Sequence, residues 1–140
     1  AGEIAPKADP RDLNRYLSTL ERWLSQPEIR TCLSRSAYPH GSRVATEYPF
    51  ALALGAEFFT GLMDRVVFLP DSGSGAGAHV VDFKTDAMSE DDEAALAGKV
   101  VEYRPQIRLY RRAISRILNL DEEQVRASLA FLSPGRVVEL

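Results

Sequence analysis

Cysteine is almost missing from this chain: Cys32 stands alone among 140 residues. A single thiol excludes an internal disulfide and any four-thiolate zinc or iron–sulfur site built within the chain, so no iron–sulfur cluster is expected. Near Ile29 and Leu33, Cys32 reads as a small buried hydrophobe. Histidine is scarce too, with His40 and His79 the only two. No apolar run approaches the roughly 20 residues that a membrane helix needs, and no signal-peptide pattern opens the chain. Membrane association is therefore not expected, and a cytoplasmic setting is. Basic charge is not in excess either. Lys and Arg number 17 against 20 Asp and Glu, a net charge of −3, so any contact with nucleic acid must come from a local patch. Nothing resembles a helicase phosphate-binding loop, so ATP is expected to act only through helicase domains absent from this chain.

What is present suits one globular domain. Hydrophobic residues make up 45 % and charged residues 26 %, enough apolar material for a core without covalent staples. Residues 1–8 read as a linker or a cut end, and 9–140 as a single domain. Asp9-Pro10 signals a helix start, followed by an apolar stripe of Leu13, Tyr16, Leu17, Leu20 and Leu24. Ser25-Gln26-Pro27-Glu28 reads as a capping box that ends this helix and opens a second, running to about Arg35. Tyr38 to Ser42 is a turn. Strands are expected at 44–52, at 57–69 with its best alternation in the second half, and at 79–85, the last two separated by a glycine-rich loop at 71–77. Ser89 is placed to cap a short acidic helix that Gly98 would end, and a longer helix is expected from about Pro105 to Leu118. Because proline disfavours helix at the residue before it, Tyr103 is expected outside that helix. Alternation from Val125 to Phe131 and a short segment from Arg136 to Leu140 complete an α+β fold around a mixed sheet flanked by helices.

The chemically informative triplet is Asp82-Phe83-Lys84. Residues two apart on a strand share a face, about 6–7 Å from each other. Asp82 and Lys84 would thus lie together while Phe83 enters the core on the other side. Asp64, near the middle of the preceding strand, can converge on Asp82 across a meander. Two adjacent carboxylates repel, and a divalent cation is the natural remedy. Oxygen-only ligands favour Mg²⁺ or Mn²⁺ over zinc. A neighbouring ammonium could stabilise charge building on a phosphate under attack, and Glu47 on the first strand is a third acid within reach. Metal-assisted phosphodiester hydrolysis fits. By itself, however, Asp-x-Lys is a weak signal, and a surface ion pair on a half-solvated sheet is the plain alternative.

At about 100° per residue, Tyr103, Ile107, Tyr110, Ile114 and Ile117 fall in line on one face, with Gln106 on the same side and Tyr103 just ahead of the expected helix start. The two tyrosines are equally readable as core aromatics, whereas a buried glutamine amide needs partners. The other face carries Arg104, Arg108, Arg111, Arg112 and Arg116, either a solvated row or the local patch able to meet phosphates.

Four motifs occur in register: Glu47-Tyr48-Pro49-Phe50, Gly61-Leu62-Met63-Asp64-Arg65, Asp82-Phe83-Lys84-Thr85-Asp86, and Tyr103, Gln106 and Tyr110 at fixed spacing. Together they resemble the nuclease domain of the RecB and AddA proteins, a branch of the PD-(D/E)XK superfamily, from about Leu13 to Leu140. The resemblance implies a restriction-endonuclease-like core. It implies Asp64, Asp82 and the backbone carbonyl of Phe83 as metal ligands, Lys84 as the catalytic lysine, and Glu47 as a further family acid. Gln106 and Tyr110, with Tyr103, Arg104 and Arg108 beside them, would hold the DNA, expected as a single strand. It further implies helicase domains on the same polypeptide, a partner subunit, and work on broken DNA in recombinational repair.

One family feature has no counterpart. Nucleases of this type carry a histidine on a helix at the start of the domain, and neither His40 in a turn nor His79 at the head of a strand matches it. His79 precedes Asp82 by three residues and so belongs to the opposite face of a regular strand. The expectation is that the histidine-bearing helix lies upstream of this chain. Three functions follow: a Mg²⁺-dependent exonuclease domain, a DNA-binding or docking module of the same fold with impaired catalysis, or an interaction domain in which Asp-x-Lys plays no part.

Overall fold

The computed structural model describes residues 9–140; the linker expected at 1–8 lies outside them. Among the described residues the order is α1 (Pro10–Leu24), α2 (Pro27–Leu33), β1 (Arg43–Leu54), β2 (Glu57–Leu69), β3 (Gly77–Lys84), α3 (Glu93–Leu118), β4 (Val125–Phe131) and β5 (Arg136–Glu139), with short 3-10 turns after α2 and before β4. The five strands form one sheet in the order β1-β2-β3-β4-β5. β1, β2 and β3 make the expected antiparallel meander, β3 and β4 are parallel, and β4 and β5 are antiparallel. The parallel step requires a crossover, and α3 supplies it. This is a mixed sheet flanked by helices, the α+β arrangement expected from the sequence.

Two cores cover the two faces. On one, Leu96, Val100, Ile107, Tyr110, Ala113 and Ile114 of α3 pack on Val66, Val80, Ala127 and Leu129. On the other, Ile29 of α2 sits against Val81, Ala130 and Leu132, with Trp23, Cys32 and Phe83 at the margin. α2, rather than α1, closes that second face. The apolar stripe of α1 is therefore solvent-facing, with Leu13 50 % and Tyr16 69 % exposed and no residue of the helix buried.

Several local expectations are corrected. The region 93–118 is one helix, capped by the Asp92 carboxylate on the Ala95 N–H at 3.0 Å; Ser89 caps nothing and Gly98 does not end a segment. Glycine within a helix costs about 1 kcal/mol and proline about 3, yet the apolar seam from Leu96 to Ile114 lies on the sheet and outweighs both. Pro105 and Val101, whose carbonyl loses its partner to proline, are both exposed, so the interruption falls on the solvent side. Tyr103 is accordingly inside the helix, and Ile117 is exposed rather than part of its buried face. The capping box at 25–28 does not form either. Gln26 is the cap of α2 without a side-chain bond, and Glu28 instead accepts from the Val137 N–H of β5 at 2.8 Å. Among the described residues no helix is long and apolar enough to cross a membrane.

The feature that builds the site is a parting of strands. β2 pairs with β3 only from Leu69↔Gly77 to Arg65↔Val81, while β1–β2 pairing continues to Leu54↔Glu57 and β3–β4 pairing to Lys84↔Phe131. Beyond Arg65, β2 follows β1 away from β3. The divergence coincides with Glu47, whose φ of 49° is left-handed and whose place in the β1–β2 register is skipped between Thr46↔Arg65 and Tyr48↔Met63. The end of β3 is left with an open flank, and it is there that Asp82 and Lys84 project.

Candidate active site

Asp64 stands where β2 leaves β3, and its carboxylate replaces the lost strand partner: Oδ2 accepts the Phe83 N–H at 2.8 Å. An acidic side chain thus satisfies a backbone donor that parting strands would orphan. The same bond draws Asp64 beside Asp82. Asp82 is buried, and its carboxyl is pushed up to about 6, first by that burial and further by the Asp64 carboxylate, with Lys84 pulling the other way. The convergence expected of Asp64 and Asp82 is found.

Lys84 is held from three directions. Its Nζ lies 2.7 Å from Asp82 Oδ2, donates to Gln106 Oε1 at 2.7 Å, and sits 4.0 Å over the ring of Tyr103. A cation over an aromatic face in a partly desolvated site gains about 1 kcal/mol or more. Gln106 then donates through Nε2 to the Tyr110 hydroxyl at 3.0 Å, and Tyr110 donates to the Leu62 carbonyl at 3.3 Å. Burial raises the Tyr110 phenol, and the charges of Asp82 and Asp64 raise it further, which puts the hydroxyl within the field of both acids. Lys84, Gln106 and Tyr110 are therefore one chain of contacts from β3 through α3 to β2. The glutamine that lacked a plain explanation in the sequence is its central link.

Asp82 Oδ2 offers a direct test for a bound cation. The oxygen is enclosed, and although Lys84 Nζ is close, the approach is misdirected for a hydrogen bond, so Oδ2 has no hydrogen-bond partner among the described residues. A buried carboxylate oxygen left open, with a second carboxylate beside it, is what a hard divalent cation requires. The donor set is short, however. Among the described residues no group of three or more His, Cys, Asp or Glu side chains is assembled for a metal ion.

Other expected site residues are placed differently. The Phe83 side chain packs into the α2-side core, as strand alternation requires, which leaves its backbone at the site. Glu47 is exposed, and its carboxylate has no hydrogen-bond or ion-pair partner among the described residues. Arg104 and Arg108 are not gathered with the acids. With Arg111 they line a recess of about 330 Å³ beside Ala127, Glu139 and Leu140, on the opposite flank of α3 from Gln106. His79 is buried on the far face of the sheet, bonded to Tyr38 Oη through Nδ1 at 2.8 Å and to Ser128 Oγ through Nε2 at 2.7 Å. His40 is exposed.

Sequence reasoning missed the support beneath Tyr103. Its hydroxyl donates to both oxygens of Asp86 at 3.0 Å, and Lys99 pairs with Asp86 at 3.3 Å. This clamp holds the ring on which Lys84 rests. Asp86 closes the motif that begins at Asp82, and Lys99 precedes Tyr103 by one helical turn, so the signal was present but depended on a helix continuous through Pro105.

No match to this chain was found among curated proteins. In a comparison with protein families, residues 3–139 match the PD-(D/E)XK nuclease superfamily. That span takes in the parted strands, both acids, the lysine and the glutamine–tyrosine chain, and members of the superfamily are typically nucleases that use divalent metals. The chain belongs to the PD-(D/E)XK nuclease superfamily.

Proposed function

We propose that this domain hydrolyses phosphodiester bonds of DNA, with Asp64, Asp82 and the Phe83 carbonyl holding a divalent cation and Lys84 acting on the phosphate. The observation that carries the reading is the enclosed oxygen of Asp82, beside Asp64 and Lys84 and without a hydrogen-bond partner among the described residues. Mg²⁺ is the proposed cation, with Mn²⁺ able to substitute; when bound it supplies Lewis-acid charge stabilisation and an activated water. The protein's own part is positional. Asp82 and Gln106 hold the Lys84 ammonium against a non-bridging phosphate oxygen, where it offsets the charge that builds in a five-coordinate transition state. Tyr103 covers one side of the ammonium and restricts its motion. Tyr110, fixed by Leu62, keeps Gln106 from turning away. Gln106 and Tyr110, with Tyr103, are proposed to line the path of a single strand, and Glu47 to act from the register position facing Asp64.

The finer reading is an exonuclease domain of a RecB- or AddA-type helicase–nuclease in the cytoplasm, fed by helicase domains of the same polypeptide, working with a partner subunit in recombinational repair of double-strand breaks. The four motifs in register support it. A second reading, a DNA-binding module with impaired catalysis, is favoured by the two-carboxylate donor set. Labelled single-stranded DNA with Mg²⁺ or Mn²⁺ separates the two. Cleavage is expected, and Lys84→Ala is expected to slow it by about 100-fold or more. Cleavage unchanged in Lys84→Ala refutes the assignment, and metal-independent binding without cleavage selects the binding module.

A further inference from the structure

Three arginines from three separate elements line one recess, and the one from the middle of the sheet faces away from Lys84. Arg35 comes from the 3-10 turn after α2, Arg43 opens β1, and Arg65 follows Asp64 in β2. Arg65 pairs across the strands with Val81, a residue of the α2-side core, and so projects to that face. With His40, Tyr38 and Ser42 the three arginines line a recess of about 530 Å³ that, among the described residues, has no acidic side chain in its wall.

The charge in this recess is uncompensated. Acidic residues outnumber basic ones in the chain, 20 to 17, and Arg126 and Arg136 each have a carboxylate partner. Among the described residues none of Arg35, Arg43 and Arg65 has an ion pair. Arg65 Nε is enclosed and lacks any acceptor among the described residues. An enclosed guanidinium donor without a partner costs free energy until an acceptor arrives. Like charges brought together from three elements repel, and a multiply charged anion removes both penalties. The fork geometry of guanidinium matches the oxygens of a tetrahedral phosphate, which it can meet with two parallel hydrogen bonds.

We propose that this recess binds a phosphate group, supplied either by the backbone of bound DNA or by a free ligand such as pyrophosphate or a nucleotide. The DNA source rests on the nuclease reading; the free ligand does not. Neither Lys84 nor the two acids take part, so the recess is separate from the proposed catalytic centre, though the chain joins them directly through Asp64 and Arg65.

The test uses metal-free protein in two arms: calorimetric titration with inorganic pyrophosphate, and salt-dependent binding of a short oligothymidylate. Arg35→Gln/Arg43→Gln alters only exposed side chains, and the corresponding double lysine variant keeps the charge. A loss of at least about tenfold in pyrophosphate affinity is expected if the ligand is a free phosphate. If the source is the DNA backbone, losing two contacts lowers the salt slope by about 1.4, roughly 25-fold in affinity at 0.1 M salt relative to 1 M. The lysine variant, which keeps the charge, is expected to retain most of the wild-type binding in either arm. Either response alone supports the recess and identifies the source. Unchanged behaviour in both arms, in a folded variant, overturns the proposal. If the wild-type protein binds pyrophosphate through these arginines yet neither binds nor cleaves DNA, the nuclease reading fails and the recess stands.

Discussion

His79 should make this domain acid-labile by an amount that its surroundings set. The ring is 4 % exposed, bonded at both nitrogens to Tyr38 and Ser128, and faced by Arg65 and Arg126, with only Glu139 favouring a proton. Burial and then Arg126 bring its pKa down from 6.5 to about 4. For a base held neutral by the fold, the unfolded chain takes up a proton first as pH falls. Stability is fully present above about pH 6.5 and is lost progressively down to about pH 4. Each pH unit in that window is worth about 1.4 kcal/mol, so the full interval amounts to about 3 kcal/mol. In a domain stabilised by roughly 5–15 kcal/mol, that is a large fraction. The perturbation is His79→Gln, which offers polar atoms to both partners but does not titrate. Urea unfolding at pH 7, 6, 5 and 4.5 would follow wild type and variant together. The wild type is expected to lose about 2–3 kcal/mol more than the variant between the extremes. Parallel profiles would refute the reasoning, because the acid dependence would then come from groups other than this imidazole.

Three further outcomes follow from the site. Asp82→Asn removes a carboxyl that burial and Asp64 hold at about 6, so above that pH the metal-free protein is expected to gain stability while losing the stabilisation that added Mg²⁺ confers; thermal melts with and without cation check both signs. Tyr110→Phe deletes the hydroxyl between Gln106 and Leu62 and is expected to cost about 1 kcal/mol in unfolding free energy and about tenfold in cleavage rate, with DNA affinity less affected. Glu47→Gly relieves a left-handed backbone and is expected to raise stability by about 1 kcal/mol in denaturant unfolding; a loss would mean that the carboxylate makes contacts outweighing the strain.

Asp82 and Lys84 on one face, with Phe83 on the other, were legible because strand alternation is geometrically strict, and the structure keeps it. The meander and the mixed sheet were legible for a similar reason. What failed were local signals set against tertiary packing. Gly98 and Pro105 predict a break in the helix, but their penalties are small beside the burial of Leu96, Val100, Ile107, Tyr110 and Ile114 on the sheet. The mistake had a consequence, since the clamp of Asp86 and Lys99 on Tyr103 exists only in a helix that continues through both residues. The stripe of α1 shows the converse case, a periodicity that is correct as helix and silent about whether anything covers it.

By itself the sequence determined which chemical groups are available and which share an element: two acids, one lysine, a glutamine between tyrosines, and too few thiols or histidines for a sulfur or zinc site. Only the tertiary structure decided where β2 parts from β3, and therefore that the Asp64 side chain takes the place of a strand and comes to lie beside Asp82. The physical reason is that pairing within an element is governed by period and propensity, whereas the meeting of elements is governed by long-range burial and by the need to satisfy every enclosed backbone donor. That meeting also sent Arg104 and Arg108 away from the acids and brought Arg35, Arg43 and Arg65 together, although they are far apart in the chain.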